Sequence, residues 1–311
     1  MMCSRTFPTR RPVPRPERRL TCESEMMITP TLDLERSLAS QDYDLIVGFD
    51  EVGRGALAGP VMVGCAAIWA RDLKPDADGE LAQADGSAAS SRVSGDNGTD
   101  AGVITPDPAP YLSVPAGVAD SKMLTEHRRE AIFDELCSWC AAYAVGQASN
   151  AEIDEWGITY ALGVAALRAL NQVERDLGVG SELGSPREGS CLAATEGRPL
   201  PSRRPITIGA ILDGPSDYIT KALNTFDAPD VPIPADVTTK VRGDQHCATV
   251  ATAAVIAKVT RDRLMVSIAQ GNPRYSAYEW DHNKGYGSAA HRAAIAEYGP
   301  TPLHRTSWHL T

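Results

Sequence analysis

Aromatic residues are scarce in this 311-residue chain, at 6%. It has no apolar run of about 18 residues, so no segment reads as a membrane-spanning helix. No charged n-region followed by an apolar stretch marks a secretory leader. Basic residues are not in excess: 30 Lys and Arg stand against 40 Asp and Glu, a formal net charge of −10. A basic surface is the usual footprint of phosphate binding, so the total charge first argues against nucleic acid. Its distribution removes that objection. Residues 72–112 hold eight acids against Lys74 and Arg92, which leaves the rest of the chain near −4. Net charge then neither supports nor excludes a nucleic-acid partner.

The seven cysteines are odd in number and scattered. That spacing fits reduced thiols in a cytoplasmic protein rather than a disulfide framework. Cys137 and Cys140 form a CxxC with no second pair, and they read as two small residues on one helix face. With 43% hydrophobic residues the chain has enough apolar content for a sizeable core.

The chain divides by composition. Residues 1–43 are an Arg/Pro-rich tail and lead-in, expected to be disordered. Residues 44–311 read as one domain interrupted by low-complexity insertions at about 72–112 and 176–203. "DLIVGFDEV" predicts a strand, and "VMVGCAAIWA" its hairpin partner across Gly59-Pro60. A helix starts at an N-cap Thr125, with Ile132, Phe133, Leu136 and Cys140 on one face. "AVGQAS" is a short strand, and "EIDEWGITYALGVAALRALNQV" one further helix. "PITIGAILDG" is a buried strand ending in Asp213. Residues 246–265 form a helix of small residues, and a last helix runs from an N-cap Ser288 to Gly299. Strands followed by alternating helices and strands predict an α/β fold with a mixed sheet.

Four acids stand at element ends: Asp50 and Glu51, Asp213, and Asp244 in "RGDQH". Each follows a β-like run, so all four could leave the same edge of one sheet. Such a cluster repels itself unless protons or cations neutralise it. Carboxylate oxygens without His or Cys partners favour Mg²⁺ or Mn²⁺. The chemistry that fits is two-metal phosphodiester hydrolysis. Taken singly, each acid is an ordinary cap, turn or surface residue; the joint pattern carries the reading.

Six blocks occur in order: "GFDEVGRGALAGPV", "GVADSKMLTEHRRE", "ILDG", "KVRGDQH", "IAKVTRDRLM" and "NKGYGSAAHRAAIAEYGPTPLHRTSW". Together they span residues 47 to 308 and resemble bacterial ribonuclease HII. The resemblance implies a ribonuclease-H-like fold, a mixed five-stranded sheet flanked by helices with additional C-terminal helices. It also implies an endonuclease that cleaves the RNA strand of RNA–DNA hybrids. Such an enzyme nicks 5′ of single ribonucleotides embedded in duplex DNA, leaving 3′-hydroxyl and 5′-phosphate ends. Metal ligands are implied at Asp50, Glu51 and Asp213, with Asp244 as a fourth catalytic acid and two Mn²⁺ or Mg²⁺ ions with substrate bound. Gly53, Arg54 and Gly55 match the loop that reads the ribose, whose 2′-hydroxyl both donates and accepts. Tyr286 matches a tyrosine that stacks on the following deoxyribose, and Lys122 a phosphate contact.

Arg54 is then expected to meet the nucleic-acid backbone rather than act as a counter-ion to the acids. Asp262 is expected to pair with its neighbours, and His291 and His304 to pack or cap. Ala56, Arg242 and Ala254 stand where that family commonly has proline, lysine and serine. A monomer is expected. The competing readings are another acid-cluster DNA nuclease of this fold, such as a resolvase or exonuclease, and a binding module without catalysis.

Overall fold

The structure, a computed structural model, describes residues 29–73, 111–119, 121, 123–180 and 205–311. Most of the Arg/Pro-rich tail, most of both insertions and Lys122 lie outside the described residues. In chain order the elements are α1 (Asp33–Ala39), β1 (Leu45–Val52), β2 (Val61–Trp69), α2 (Glu126–Trp139), β3 (Ala142–Ala148), α3 (Asn150–Trp156), α4 (Ile158–Leu177), β4 (Ile208–Asp213), α5 (Ile219–Ala222), β5 (Asp236–Lys240), α6 (Gly243–His246), α7 (Ala248–Gly271), α8 (Trp280–Asn283) and α9 (Ala289–Tyr298).

The five strands form one mixed sheet in the order β3-β2-β1-β4-β5. β2 runs antiparallel to β1 and β3, while β1, β4 and β5 are parallel. The continuous apolar run of β1 marks a strand covered on both faces. Leu45, Val47 and Phe49 pack into the core under α4, and Ile46 packs toward α1 and α7. A Cβ on Gly64 of β2 would meet the Ala253 carbonyl oxygen at 2.4 Å. The small-residue face of α7 therefore lies almost on the sheet backbone, and few aromatic side chains fit between the layers.

Two features differ from the sequence expectation. The lead-in is folded: α1 docks against the start of α7, with Thr31 bridged to Cys247. The "EIDEWGITYALG" helix is two helices, because Gly157 (φ 80°, ψ 153°) turns the chain between α3 and α4. The strand expected before Asp244 is present as β5, a short, polar and largely exposed edge strand. The N-caps at Thr125 and Ser288 are as expected; their hydroxyls accept from the Arg128 and His291 amides.

Glu35 of α1 is fully buried. Its Oε1 accepts from the Thr249 amide at 2.9 Å and from the Thr249 hydroxyl at 2.8 Å. The carboxylate thus caps the first turn of α7, where the helix dipole favours a negative group. Burial pushes its pKa up, and the two Thr249 bonds pull against that shift. Glu35→Ala would leave two buried donors unpaired. It is expected to lower unfolding free energy by about 1–3 kcal/mol, read as a lower urea midpoint at unchanged m-value.

Candidate active site

The acids gather at one edge of the sheet. Phe49 of β1 lies opposite Leu212 of the parallel β4, so Asp50 and Asp213, one residue further on, leave neighbouring strand ends. The Gly243 amide donates to Asp213 Oδ1 at 2.7 Å. Arg242 takes a left-handed conformation just before it (φ 57°) and turns the chain from β5 into α6. A cleft of about 260 Å³ joins Asp50, Glu51 and Asp213 to Gly53, Arg54, Gly55 and Tyr286. Asp244 is buried at the start of α6 and is not part of the cleft wall.

Asp50 and Glu51 are neighbours in sequence but not in aim. Successive strand residues point to opposite faces. Asp50 shares its face with Ile46, toward α7. Glu51 shares its face with Phe49, toward the α4 layer, where Tyr218 is buried. The Tyr218 hydroxyl donates to Glu51 Oε2 at 3.1 Å. Burial, and then the Glu51 and Asp50 carboxylates, push the Tyr218 phenol well above its usual pKa, so it remains a donor. Glu51 Oε1 accepts from Arg54 at 3.1 Å. Here the expectation for Arg54 is corrected: in the free protein it is a counter-ion to an acid of the cluster, because residues three apart across this turn bring the two side chains together.

Carboxylates are the charged acceptors of the cleft, and no His or Cys lines it. By donor type this set fits a hard divalent cation. Among the described residues, no three His, Cys, Asp or Glu side chains are grouped to hold one ion together. The opposed aim of Asp50 and Glu51, with Glu51 engaged by Arg54 and Tyr218, gives a physical reason.

The loop carrying Gly53-Arg54-Gly55 is held by two fully buried arginines. Arg305 donates to the carbonyls of Gly53 (2.7 Å), Arg54 (2.9 Å) and Gly59 (3.1 Å). Arg261 donates to those of Pro60, Ala58 and Lys284. A Cβ on Gly53 (φ 81°) would fall 2.1 Å from Arg261 Nε, whereas one on Gly55 would meet nothing within 4 Å. Gly53 is therefore required by the scaffold, and Gly55 leaves open space in the cleft wall. The Gly53 amide donates to the Tyr286 hydroxyl at 3.1 Å, which ties the tyrosine to the same loop.

Lys258 also lines the cleft, with Nζ 2.6 Å from both Asp262 oxygens. Asp262 is thus an ion-pairing residue, as its helical setting implied. Sequence reasoning missed Lys258, Tyr218 and the two arginines. The Lys258–Asp262 spacing of four on a helix was the one signal available.

His291 and His304 support Tyr286 from behind. The Thr301 amide donates to His304 Nδ1 at 2.8 Å, so His304 carries its proton on Nε2. That proton faces His291 Nε2 at 3.0 Å, which also accepts from the Trp280 indole. His291 then holds its proton on Nδ1, against the Tyr286 carbonyl at 2.9 Å. Both rings are then neutral, and the one lone pair of His291 Nε2 is shared by the His304 and Trp280 donors. Burial, and secondarily His291, lowers the His304 pKa from 6.5 to about 4.

Comparison with known proteins points to ribonuclease HII. The ribonuclease HII family model matches residues 217–311, which hold Asp244 and Tyr286. A ribonuclease HII of Streptomyces griseus is 36% identical over 280 residues, covering 90% of this chain and 84% of that protein. One of Synechococcus elongatus is 30% identical, covering 85% and 84%. Among solved structures, the ribonuclease H2 of Pyrococcus horikoshii is similar at 20% identity and a TM-score of 0.43, covering 86% of this chain and 94% of that one.

The histidine chain sets a pH dependence. A base whose pKa is lowered by folding is protonated preferentially in the unfolded state as pH falls, so its stabilisation is present above pH 6.5 and lost toward pH 4. Melting temperature is expected to fall across that window. A His304→Gln variant, which lacks the titrating ring, is expected to show a shallower fall in the same calorimetric series.

Proposed function

The chain belongs to the ribonuclease HII family and is an endonuclease of class EC 3.1.26.4; on that footing we propose the site by which it acts on RNA–DNA substrates. Asp50, Glu51 and Asp213 would hold Mn²⁺ or Mg²⁺, two ions with substrate bound, and Asp244 would serve as the fourth catalytic acid. Bound there, the ions would supply a nucleophilic hydroxide and neutralise the leaving alkoxide. The protein's own groups do the rest.

Gly53 and Gly55 bring backbone groups close to a ribose, where a 2′-hydroxyl can both donate and accept. Gly55 suits this role because its missing side chain leaves room for a sugar. Tyr286, anchored through its hydroxyl to Gly53, presents its ring to the next sugar in the strand. Lys122, in the segment before α2, contributes a phosphate contact. The scissile bond is then the one 5′ of the ribonucleotide, and the products carry 3′-hydroxyl and 5′-phosphate ends.

The observation that carries this reading is one cleft containing both the acids of adjacent strand ends and the loop that would test the sugar. A reader and a cutter acting on one nucleotide must lie within a nucleotide's length of each other. Duplex DNA with a single ribonucleotide, incubated with Mn²⁺ or Mg²⁺, is expected to be nicked 5′ of that residue. An all-DNA duplex and a four-way junction are expected to stay intact. Cutting of either would favour a DNA nuclease of the same fold, and binding of the ribonucleotide duplex without any nick would favour a non-catalytic module. Asp213→Asn is expected to lower kcat at least about 100-fold without lowering melting temperature. Retention of full activity in that variant would refute the acid assignment.

Tyr286→Ala is expected to reduce kcat/KM on the single-ribonucleotide duplex about tenfold more than on a long hybrid, measured in parallel. Only the first substrate offers a deoxyribose directly after the ribonucleotide whose 5′ bond is cut. Equal losses on both would remove the stacking role.

A further inference from the structure

We propose that Arg54 is a displaceable counter-ion that keeps Glu51 from the metal site until nucleic acid arrives. This inference rests on the function proposed above.

Glu51 has two carboxylate oxygens with different partners. Oε2 is held by Tyr218, a buried residue on the α4 side. Oε1 is held by Arg54, whose side chain is 56% exposed, while that of Glu51 is only 17% exposed. The anchor is therefore internal and the counter-ion external. No triad of acidic, His or Cys side chains is grouped for one ion among the described residues, and Glu51 is one of three carboxylates lining the cleft.

Arg54 is in a position to exchange partners. Arg305 fixes its backbone through the Arg54 carbonyl, so only the side chain needs to move. Its side chain lines the cleft and is more than half exposed, so a phosphodiester strand entering there can reach it. A phosphate offers the same fork geometry as a carboxylate. When a backbone phosphate takes Arg54, Oε1 of Glu51 is released while Tyr218 retains Oε2 and limits the carboxylate's swing. Metal affinity and nucleic-acid binding are thereby linked, and the linkage is reciprocal.

The test is Mn²⁺ binding to the full-length protein without nucleic acid, read by the electron paramagnetic resonance of free Mn²⁺. An exposed ion pair contributes modestly. Arg54→Gln is accordingly expected to bind Mn²⁺ about two- to fivefold more tightly than the parent, although it loses a cationic side chain at the substrate mouth. Unchanged or weaker binding would overturn the proposal.

A general loss of positive charge could also tighten Mn²⁺ binding. A second arm therefore repeats the titration with an uncut all-DNA duplex at low salt. Mn²⁺ affinity of the parent is expected to rise with the duplex, and that of Arg54→Gln to rise less. Equal gains in both, or no gain in the parent, would reject the exchange. Asp213→Asn separates the two levels of argument. If it leaves Mn²⁺ binding intact, the metal site itself is wrong; if it abolishes binding while Arg54→Gln does not tighten it, only the counter-ion role is wrong.

Discussion

Two buried guanidinium groups that give their hydrogen bonds to main-chain carbonyls determine the shape of the loop from Gly53 to Pro60. A buried cation must spend its donors on acceptors. Arg305 and Arg261 spend theirs on main-chain carbonyls between Gly53 and Pro60, and on Lys284. The loop is therefore a cast taken around two side chains from far along the chain. Burial, and then the nearness of Arg261, bring the Arg305 pKa down to about 9. The carbonyl oxygens are what make that burial tolerable. Because carbonyls of the loop face inward on the arginines, its amides are left to face elsewhere; that of Gly53 meets Tyr286. The C-terminal block beyond residue 280 thus shapes the N-terminal loop, and the histidine chain behind Tyr286 extends the same support.

The second constraint is the two-residue period of a strand. "DE" at the end of β1 looks like a pair of carboxylates working together. The pleat separates them, sending Asp50 toward α7 and Glu51 toward Tyr218. The arrangement reduces like-charge repulsion in the free protein, since each acid meets a different environment. It also means that the cluster is not a preformed three-carboxylate cage. Glu51 is already paired with the exposed Arg54, so in the free protein the self-repelling set of acids is partly neutralised by a cation of the chain's own.

Much of this was legible in the sequence because it depends on local pattern. The buried runs of β1 and β4, the hydroxyl caps at Thr125 and Ser288, and the small-residue face of α7 each follow from residue type and spacing. The position of Asp213 beside Asp50 was legible for the same reason: both end apolar strands. What escaped depends on contacts across the fold. α1 has a lone buried acid as its anchor, and Glu35 looks like any surface glutamate until the start of α7 is placed beside it. Arg261 and Arg305 read as solvated cations. Tyr218 reads as a loop aromatic, and only the face of β1 to which Glu51 points gives it a partner. Gly157 has open space around it, so its role lies in backbone angles that no periodicity records.

The two insertions illustrate how topology separates tolerance from function. β2 is antiparallel to β1, with Trp69 opposite Leu45. The first insertion therefore departs just beyond the end of the sheet where β1 begins, and the chain returns there, with the Leu112 amide on the Asp72 carbonyl. The second insertion rejoins the fold at residue 205, before β4, whose Ile208 also lies opposite Leu45. These anchor points belong to the end of the sheet opposite the acids. A long loop whose ends already meet adds little closure entropy. Length can vary there without moving Asp50 or Asp213, because the strand register that aligns them is set by the intervening residues of β1 and β4. The low-complexity, acid-rich stretch that gives this chain its strongly negative total is thus attached away from the cleft in which a polyanion is to bind.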